Sequence, residues 1–309
     1  MKFIFAQSYC SQGVYYGTKK KIILGVLFLL VIPALCILAF VGYLKYQDYR
    51  SHQEFIANAY PSASENVMVL RDSIYIPYQG VKRTIHVYLP PGYANDTLEY
   101  PVIYMMDGES AFDMMENMAT EWQIDEVIDS TVAAGGRGAI VVGIEDSDSR
   151  DEEYTPWPID DCPNAHGEQY INWVAQTFKP WIDTNFRTLP EAAYTTIGGI
   201  SRSGMMAYYA IMSHPETFGQ ALIQSPSMWV DEARLLAMEP AGDMSEKRVF
   251  VSVGELESTM VPLAQKAYDR LAAVGVPEPN RKMVVLPALG HWHLTWQQSF
   301  KQAYPWLME

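Results

Sequence analysis

The chain has 309 residues, a formal net charge of −14 and three cysteines, and these values exclude several classes of protein. Six basic residues and one acidic residue lie in positions 1–50, so the 16 basic and 35 acidic residues of positions 51–309 carry a net charge of −19. Such a surface repels nucleic acid and disfavours strongly anionic substrates. The spacing of Cys10, Cys36 and Cys162 indicates neither a disulfide nor a metal site, and we expect no cofactor.

An uncharged apolar segment, residues 22–44, follows three lysines near the N-terminus. Its length suits a helix across a bilayer core of roughly 30 Å. A cleaved signal peptide, with an apolar region of about 7–15 residues, and a buried core helix are the alternatives. We expect a cytoplasmic tail at 1–18, a transmembrane helix at 19–45 and a tether at 46–65. The lysines predict an extracytoplasmic body, either periplasmic or extracellular.

The body, residues 66–309, alternates strand and helix patterns. Predicted strands are Val67–Leu70, Arg83–Leu89, Pro101–Met106, Gly138–Gly143, Tyr194–Ile197, Gln220–Gln224, Arg248–Val253 and Lys282–Leu286. Predicted helices are Met114–Ile128, Gly167–Asn185, a segment after Ser201 that stops before Pro215, Met260–Val274 and Trp296–Leu307. This order predicts one α/β domain with a mostly parallel sheet, helices on both faces and a site beyond the carboxyl ends of the strands.

A serine stands between the strand that begins at Tyr194 and the helix that follows it. Gly198 and Gly199 precede Ser201, and this strand–turn–helix context is typical of a nucleophile elbow. The chain departs from the pattern G-x-S-x-G at its last position, where it has Ser203 and not glycine. We expect Ser201 to be the nucleophile and the hydroxymethyl group of Ser203 to narrow the site.

The base must follow the serine and the acid along the chain, and two of the six histidines do so. His291 and His293 both come after the last predicted strand. His291 follows Gly290 and is nearer to the strand end, so we favour it as the base. We interpret His293 as a rim or packing residue.

The acid should lie in the loop after the strand Arg248–Val253, where Glu255 and Glu257 are both available. The oxyanion hole should use the backbone N–H of Arg202 and a second N–H, from Gly108 or Glu109.

Other polar and aromatic residues could contact a substrate. The Arg202 side chain could bind a substrate anion or pair with the acidic loop 145–153, which itself could hold calcium but is more simply a solvated lid. Trp157, Trp229 and Trp292 are candidates for an acyl or aromatic pocket, although any of them could be core.

Eight segments, in this order, carry a resemblance: Tyr88–Tyr93, Tyr100–Gly108, Trp181–Arg187, Gly198–Gly204, His214–Phe218, Ser225–Trp229, Gly254–Glu257, and Gly290–His291 with Trp296. Residues 66–309 resemble the esterase family of α/β-hydrolases that includes the esterase D, enterochelin-esterase and feruloyl-esterase relatives. The resemblance implies that Glu257 is the acid, that His291 is the base and that Glu109 supplies the second oxyanion N–H. The family usually has glycine at the position of Ser203.

Together these features predict a membrane-anchored serine ester hydrolase that acts through Ser201, His291 and Glu257. Its partners would be a small-molecule, carbohydrate or lipid acyl ester and the membrane. An acyltransferase on the same scaffold and a tethered binding protein without catalysis are the alternatives.

Overall fold

The computed structural model describes residues 32–40, 42–43, 46, 61–114 and 121–309. The chain separates into two compact units, Met1–Ala59 and Tyr60–Glu309. Residues 32–40 of the first unit are helical and exposed. Among the residues just given, no helix combines the length and the apolar character needed to cross a membrane. The expected tail 1–18 and most of the expected transmembrane helix 19–45 lie outside them, as does most of the tether 46–65.

The second unit is built on one eight-stranded sheet in the order β1-β2-β4-β3-β5-β6-β7-β8. Its strands are β1 (Val67–Ile76), β2 (Val81–Tyr88), β3 (Val102–Met106), β4 (Ile140–Ile144), β5 (Thr195–Ile200), β6 (Gln220–Gln224), β7 (Arg248–Gly254) and β8 (Arg281–Leu286). β1 and β2 pair antiparallel, and β2 pairs antiparallel with β4. All other pairs are parallel, which confirms the predicted α/β architecture.

The helices are α1 (Ile124–Ala133), α2 (Arg150–Glu153), α3 (Gly167–Trp173), α4 (Lys179–Asn185), α5 (Arg202–Ser213), α6 (Glu232–Ala237), α7 (Met260–Ala273) and α8 (His293–Met308). A π-helical turn joins α3 to α4. The prediction of a helix from Met114 to Ile128 was wrong in its bounds. Residues 121–123 are not helical, and α1 begins only after Gln123, whose φ of 57° is left-handed.

The central strands are buried on both faces because helices cover each side of the sheet. All five residues of β3 are inaccessible to solvent. Tyr104 and Met106 pack into the core of one face, whereas Ile103 and Met105 pack into the core of the other. This rigid centre fixes the loops at the carboxyl ends of β3, β5 and β7, where the candidate site residues lie.

Candidate active site

Ser201 occupies a strained turn between β5 and α5. Its φ of 60° and ψ of −117° lie outside the regions that L-residues prefer. The backbone fixes this conformation on both sides, because Ser201 N donates to Gln224 O (2.9 Å) and Ser227 N donates to Ser201 O (2.9 Å). Gly199 permits the turn, since a Cβ there would lie 2.4 Å from the carbonyl of Ser203. The turn exposes the Ser201 hydroxyl above the sheet.

The structure brings Ser201, His291 and Glu257 into one hydrogen-bonded row. His291 Nε2 lies 3.0 Å from Ser201 Oγ, and His291 Nδ1 lies 2.6 Å from Glu257 Oε2. The His291 side chain is 38% exposed, whereas that of Glu257 is 1% exposed. A half-exposed imidazole between a hydroxyl and a buried carboxylate is the arrangement that activates a serine nucleophile.

The neighbours of Glu257 favour its ionised form. Burial opposes ionisation, but hydrogen bonds from His291, from the Ser225 hydroxyl (2.7 Å) and from Gly254 N (2.7 Å) outweigh it and hold the pKa of Glu257 below its usual value. Glu255, the other candidate acid, is exposed and accepts a hydrogen bond from Ala288 N instead. Of the two carboxylates, only Glu257 contacts His291.

Ser203 does not narrow the site as expected. Its side chain is fully buried, and its Oγ lies 2.6 Å from Asp107 Oδ2 and accepts a hydrogen bond from Ile200 N (2.8 Å). Asp107 also binds the Arg150 guanidinium through both carboxylate oxygens, at 2.6 and 2.7 Å. The hydroxymethyl group therefore extends under the turn and not into the cavity beside Ser201. The sequence analysis included Asp107 in the resembling segment Tyr100–Gly108 and Arg150 in the acidic loop, but it assigned a role to neither side chain.

The loop after β3, which contains Asp107, Gly108 and Glu109, also lies beside Ser201. Asp107 has a left-handed φ of 59°, and Gly108 packs so tightly on Gly143 that an added Cβ would lie 2.2 Å from the Gly143 carbonyl carbon. Glu109 follows in a 3₁₀ turn. The N–H of Arg202 lies in the first turn of α5, where helical N–H groups have no partner within the helix.

A cavity of about 290 Å³ opens beside Ser201 and His291. Its remaining lining residues are Asp107, Glu109, Ser110, Trp122, Asp146, Arg150, Ile200 and Trp296. Burial and the neighbouring carboxylates of Asp107 and Asp146 raise the pKa of Glu109 to about 8. Burial and the Asp107 carboxylate raise the pKa of Asp146 to about 6. The wall beside the candidate nucleophile is therefore acidic.

The three tryptophans proposed from the sequence do not line this cavity. Trp229 and Trp292 are 58% and 49% exposed, and Trp157 donates a hydrogen bond to Asp231 (2.8 Å). Trp122 and Trp296 form the aromatic wall in their place, and Trp296 packs edge-on against His291. The resemblance had included Trp296 with His291, but the sequence analysis assigned neither Trp122 nor Trp296 to the cavity.

Arg202 pairs with the acidic loop, which was one of the two expectations for its side chain. Its Nε lies 3.0 Å from Asp151 Oδ1, and it donates a hydrogen bond to Thr155 (2.7 Å). Within the same loop Glu153 is buried against Arg83 (2.6 Å), so this part is not the solvated lid that we expected. The ion pairs Arg202–Asp151 and Arg83–Glu153 neutralise part of the negative charge of the acidic loop.

His293, which we interpreted as a rim or packing residue, begins α8 two positions after His291. Desolvation lowers its pKa. The sequence analysis assigned no role to Ser227. Its Oγ lies 3.2 Å from Ser201 Oγ.

Comparison with known proteins gives one family. The family model described as "Putative esterase" matches residues 77–307. The uncharacterized protein YbbA of Bacillus subtilis is 25% identical over 243 residues, which cover 73% of this chain and 92% of YbbA. Ferri-bacillibactin esterase BesA of the same organism is 25% identical over 221 residues, or 62% of this chain and 74% of BesA.

Solved structures show the same fold. The BES protein from Bacillus cereus superposes with a TM-score of 0.65 at 20% identity, over 80% of this chain and 96% of that one. The enterobactin esterase FES from Shigella flexneri gives a TM-score of 0.62 at 21% identity, over 80% of this chain and 60% of that one. Because the family model covers well over half of the sequence, this chain belongs to that esterase family and is a carboxylic-ester hydrolase with an α/β fold.

Proposed function

We propose that Ser201, His291 and Glu257 form the catalytic triad of a serine carboxylic-ester hydrolase. The observation that carries the proposal is the row of contacts from Ser201 Oγ to His291 Nε2 (3.0 Å) and from His291 Nδ1 to Glu257 (2.6 Å). The strained φ of Ser201 supports it, because strain of this kind is characteristic of a nucleophile elbow.

In the proposed mechanism Ser201 Oγ attacks the acyl carbonyl carbon while His291 Nε2 accepts the hydroxyl proton. Glu257 holds the tautomer in which His291 carries a proton on Nδ1, and it stabilises the imidazolium that forms. The backbone N–H groups of Arg202 and Glu109 bind the oxyanion. His291 returns the proton to the leaving alkoxide, which departs as the alcohol. Water, deprotonated by His291, then hydrolyses the acyl-enzyme, and the proton returns to Ser201.

We propose that the substrate carries no negative charge next to its scissile bond. Asp107, Glu109 and Asp146 line the cavity beside Ser201, and Arg150, whose guanidinium is the only one among the described lining residues, is bound to Asp107. The relatives include a protein named siderophore enterobactin esterase and one named endo-1,4-beta-xylanase/feruloyl esterase. For this chain, the acidic wall favours neutral or cationic esters over anionic ones such as catecholates.

Labelling of the full-length chain with a fluorophosphonate, mapped by peptide mass, tests the nucleophile without knowledge of the substrate. We expect the label on Ser201 and its loss in Ser201→Ala, whereas Ser227→Ala should still be labelled. A label on Ser203 or Ser227, or an unlabelled wild-type chain, would contradict the proposal. Added alcohol acceptors in the same preparation distinguish hydrolysis from acyl transfer, since transfer would yield a new ester.

Two 4-nitrophenyl esters, one with an uncharged and one with an anionic acyl group, test the proposed preference against anionic substrates. We expect the full-length chain to cleave 4-nitrophenyl butyrate with a higher kcat/KM than 4-nitrophenyl hemisuccinate. Above pH 8, where Glu109 is ionised, Glu109→Gln should narrow this difference, because it removes a negative charge from the wall and leaves the backbone N–H in place. A higher kcat/KM for the hemisuccinate would overturn the preference but not the triad.

We further propose that residues 22–44 anchor the chain in a membrane with the esterase unit outside the cytoplasm. The support is the uncharged apolar composition of the segment and the three lysines before it. Protease added to intact spheroplasts should then remove the esterase unit. Full protection of this unit until the membrane is lysed would contradict the orientation.

A further inference from the structure

A second cluster of carboxyl groups lies at the start of α1, outside the candidate triad. Glu121, Asp125 and Glu126 each place a carboxylate oxygen within 4.8 Å of the other two. Asp125 and Glu126 belong to the first turn of α1, and Glu121 precedes the helix by three residues. The cluster contains no histidine or cysteine.

Two oxygens of this cluster are buried without a hydrogen-bond partner. Glu121 is 3% exposed and Asp125 is fully buried, yet within the described part of the chain Glu121 Oε1 and Asp125 Oδ1 have no hydrogen-bond partner. Ser64 contributes a third such atom, its hydroxyl Oγ, while Ser64 N donates to the other Asp125 oxygen at 2.7 Å. Buried polar atoms in native proteins almost always have a partner, so these oxygens indicate a missing one.

The cluster also carries uncompensated charge. Across the ranges that the structure describes, no lysine or arginine forms an ion pair with Glu121, Asp125 or Glu126. Buried carboxylates in proteins are usually paired with a cation or bound to a metal ion, and among the described residues this cluster has no such partner.

We propose that Glu121, Asp125 and Glu126 bind a divalent cation of the hard type, Ca²⁺ or Mg²⁺, with the Ser64 hydroxyl as a further ligand. Carboxylate and hydroxyl oxygens are the donors that these ions prefer. The inference does not depend on the proposed triad.

The acidic group in the catalytic cavity offers a contrast. The carboxylate oxygens of Asp107, Glu109 and Asp146 also lie within 4.8 Å of one another. Asp107 is bound by Arg150, Glu109 accepts from Asp146 N (3.2 Å), and Asp146 lies 3.6 Å from Arg150. These carboxylates already have cationic or N–H partners, so we propose no cation there.

The proposed cation site adjoins the wall of the catalytic cavity. Glu121 O accepts a hydrogen bond from Gln297 of α8 (2.7 Å), and Trp122 N donates to Ser110 O (2.8 Å). Trp122 itself packs edge-on against Trp296. A cation would hold residues 121–126 to Ser64 and so fix Trp122. We therefore expect it to raise the stability of the protein and the order of the cavity wall.

Thermal unfolding of the full-length chain tests the proposal. After treatment with a chelator, CaCl₂ or MgCl₂ should raise the unfolding midpoint by about 5 °C or more at roughly 100 times Kd, and calorimetric titration should show one ion per chain. Asp125→Asn and Glu126→Gln should abolish the shift and the binding. Because Glu126 is exposed, its variant should fold even where Asp125→Asn does not.

Two further variants serve as controls. Ser201→Ala should keep the full cation response although it lacks the proposed nucleophile, so failure of one proposal is distinguishable from failure of the other. Asp146→Asn changes the acidic group of the cavity, whose carboxylates already have partners, and should also keep the full cation response. A wild-type chain that neither binds nor responds to either ion at millimolar concentration would overturn the proposal and indicate a proton shared by Asp125 and Glu126. A response that persists in Glu126→Gln would overturn it equally.

Discussion

Ser203 Oγ lies 2.6 Å from Asp107 Oδ2, and this buried contact joins the turn that bears Ser201 to the loop after β3. The Asp107 carboxylate also binds Arg150, so one side chain connects the Ser201 turn, the loop after β3 and the acidic segment 145–153. A glycine at position 203, which the resemblance led us to expect, could not make this contact. Ser203 is therefore a structural variation of the turn that leaves the cavity beside Ser201 open.

Ser203→Ala should destabilise the fold and affect catalysis only moderately. A buried hydrogen bond to a charged group contributes about 1.5–3 kcal/mol, and its loss leaves Asp107 still bound to Arg150. Urea unfolding should show a loss in this range, and kcat for 4-nitrophenyl butyrate should fall far less than in Ser201→Ala.

A double-mutant cycle with Asp107→Asn isolates this contact. If Ser203 and Asp107 interact as described, Ser203→Ala should cost less in the Asp107→Asn background than in the wild-type chain. Additive effects of the two substitutions would contradict the coupling.

Glu257→Gln should reduce kcat by about 10,000-fold, because an amide does not hold His291 in the required tautomer as a carboxylate does. The amide oxygen can still accept from Gly254 N, so the fold should persist. Glu255→Gln is the matched control in the same loop and should leave kcat nearly unchanged. If Glu255→Gln were the more damaging change, the acid would be wrongly assigned.

Gly199→Ala should remove most activity and lower the unfolding midpoint, because its Cβ would lie 2.4 Å from the backbone of Ser203. Gly290→Ala is the control: a Cβ there meets nothing closer than 3.9 Å, although His291 is the next residue. We expect hydrolysis of 4-nitrophenyl butyrate and circular-dichroism melting to distinguish the two variants. Similar losses in both would mean that crowding under the elbow is not the cause.

Glu109→Gln should stabilise the protein at alkaline pH. In the unfolded chain this carboxyl ionises near pH 4.5, whereas burial and two neighbouring carboxylates raise its folded pKa to about 8. Folding therefore favours the protonated form of the Glu109 carboxyl. Ionisation of this group lowers the free energy of unfolding of the wild-type chain as the pH rises from about 4.5 to 8. Urea unfolding should show a gain of at least about 1 kcal/mol at pH 9 and little change at pH 4. An equal effect at both values would argue against the raised pKa.

Most of the sheet could be predicted because each strand is a short, continuous apolar segment bounded by turn residues. The strand at Gln220–Gln224 was predicted with the bounds that the structure has. The predicted start of the helix at Met114 was wrong because the apolar spacing extends across residues 121–123, which are not helical. There Gln123 has a left-handed backbone conformation and Trp122 lines the cavity. Apolar periodicity cannot distinguish a helix from a loop that buries a tryptophan.

By itself, the sequence determined which loops carry the candidate serine, acid and histidine, because these residues follow predicted strands in a set order and parallel strands present their carboxyl ends at one edge. The family resemblance favoured Glu257 over Glu255, but only the tertiary structure gives the physical reason, because the turn after Gly254 directs only Glu257 at His291. The tertiary structure also decided the environment of Ser203, whose partner Asp107 is 96 residues away along the chain. Contacts of that sequence separation depend on how the loops pack, and local pattern carries no information about them.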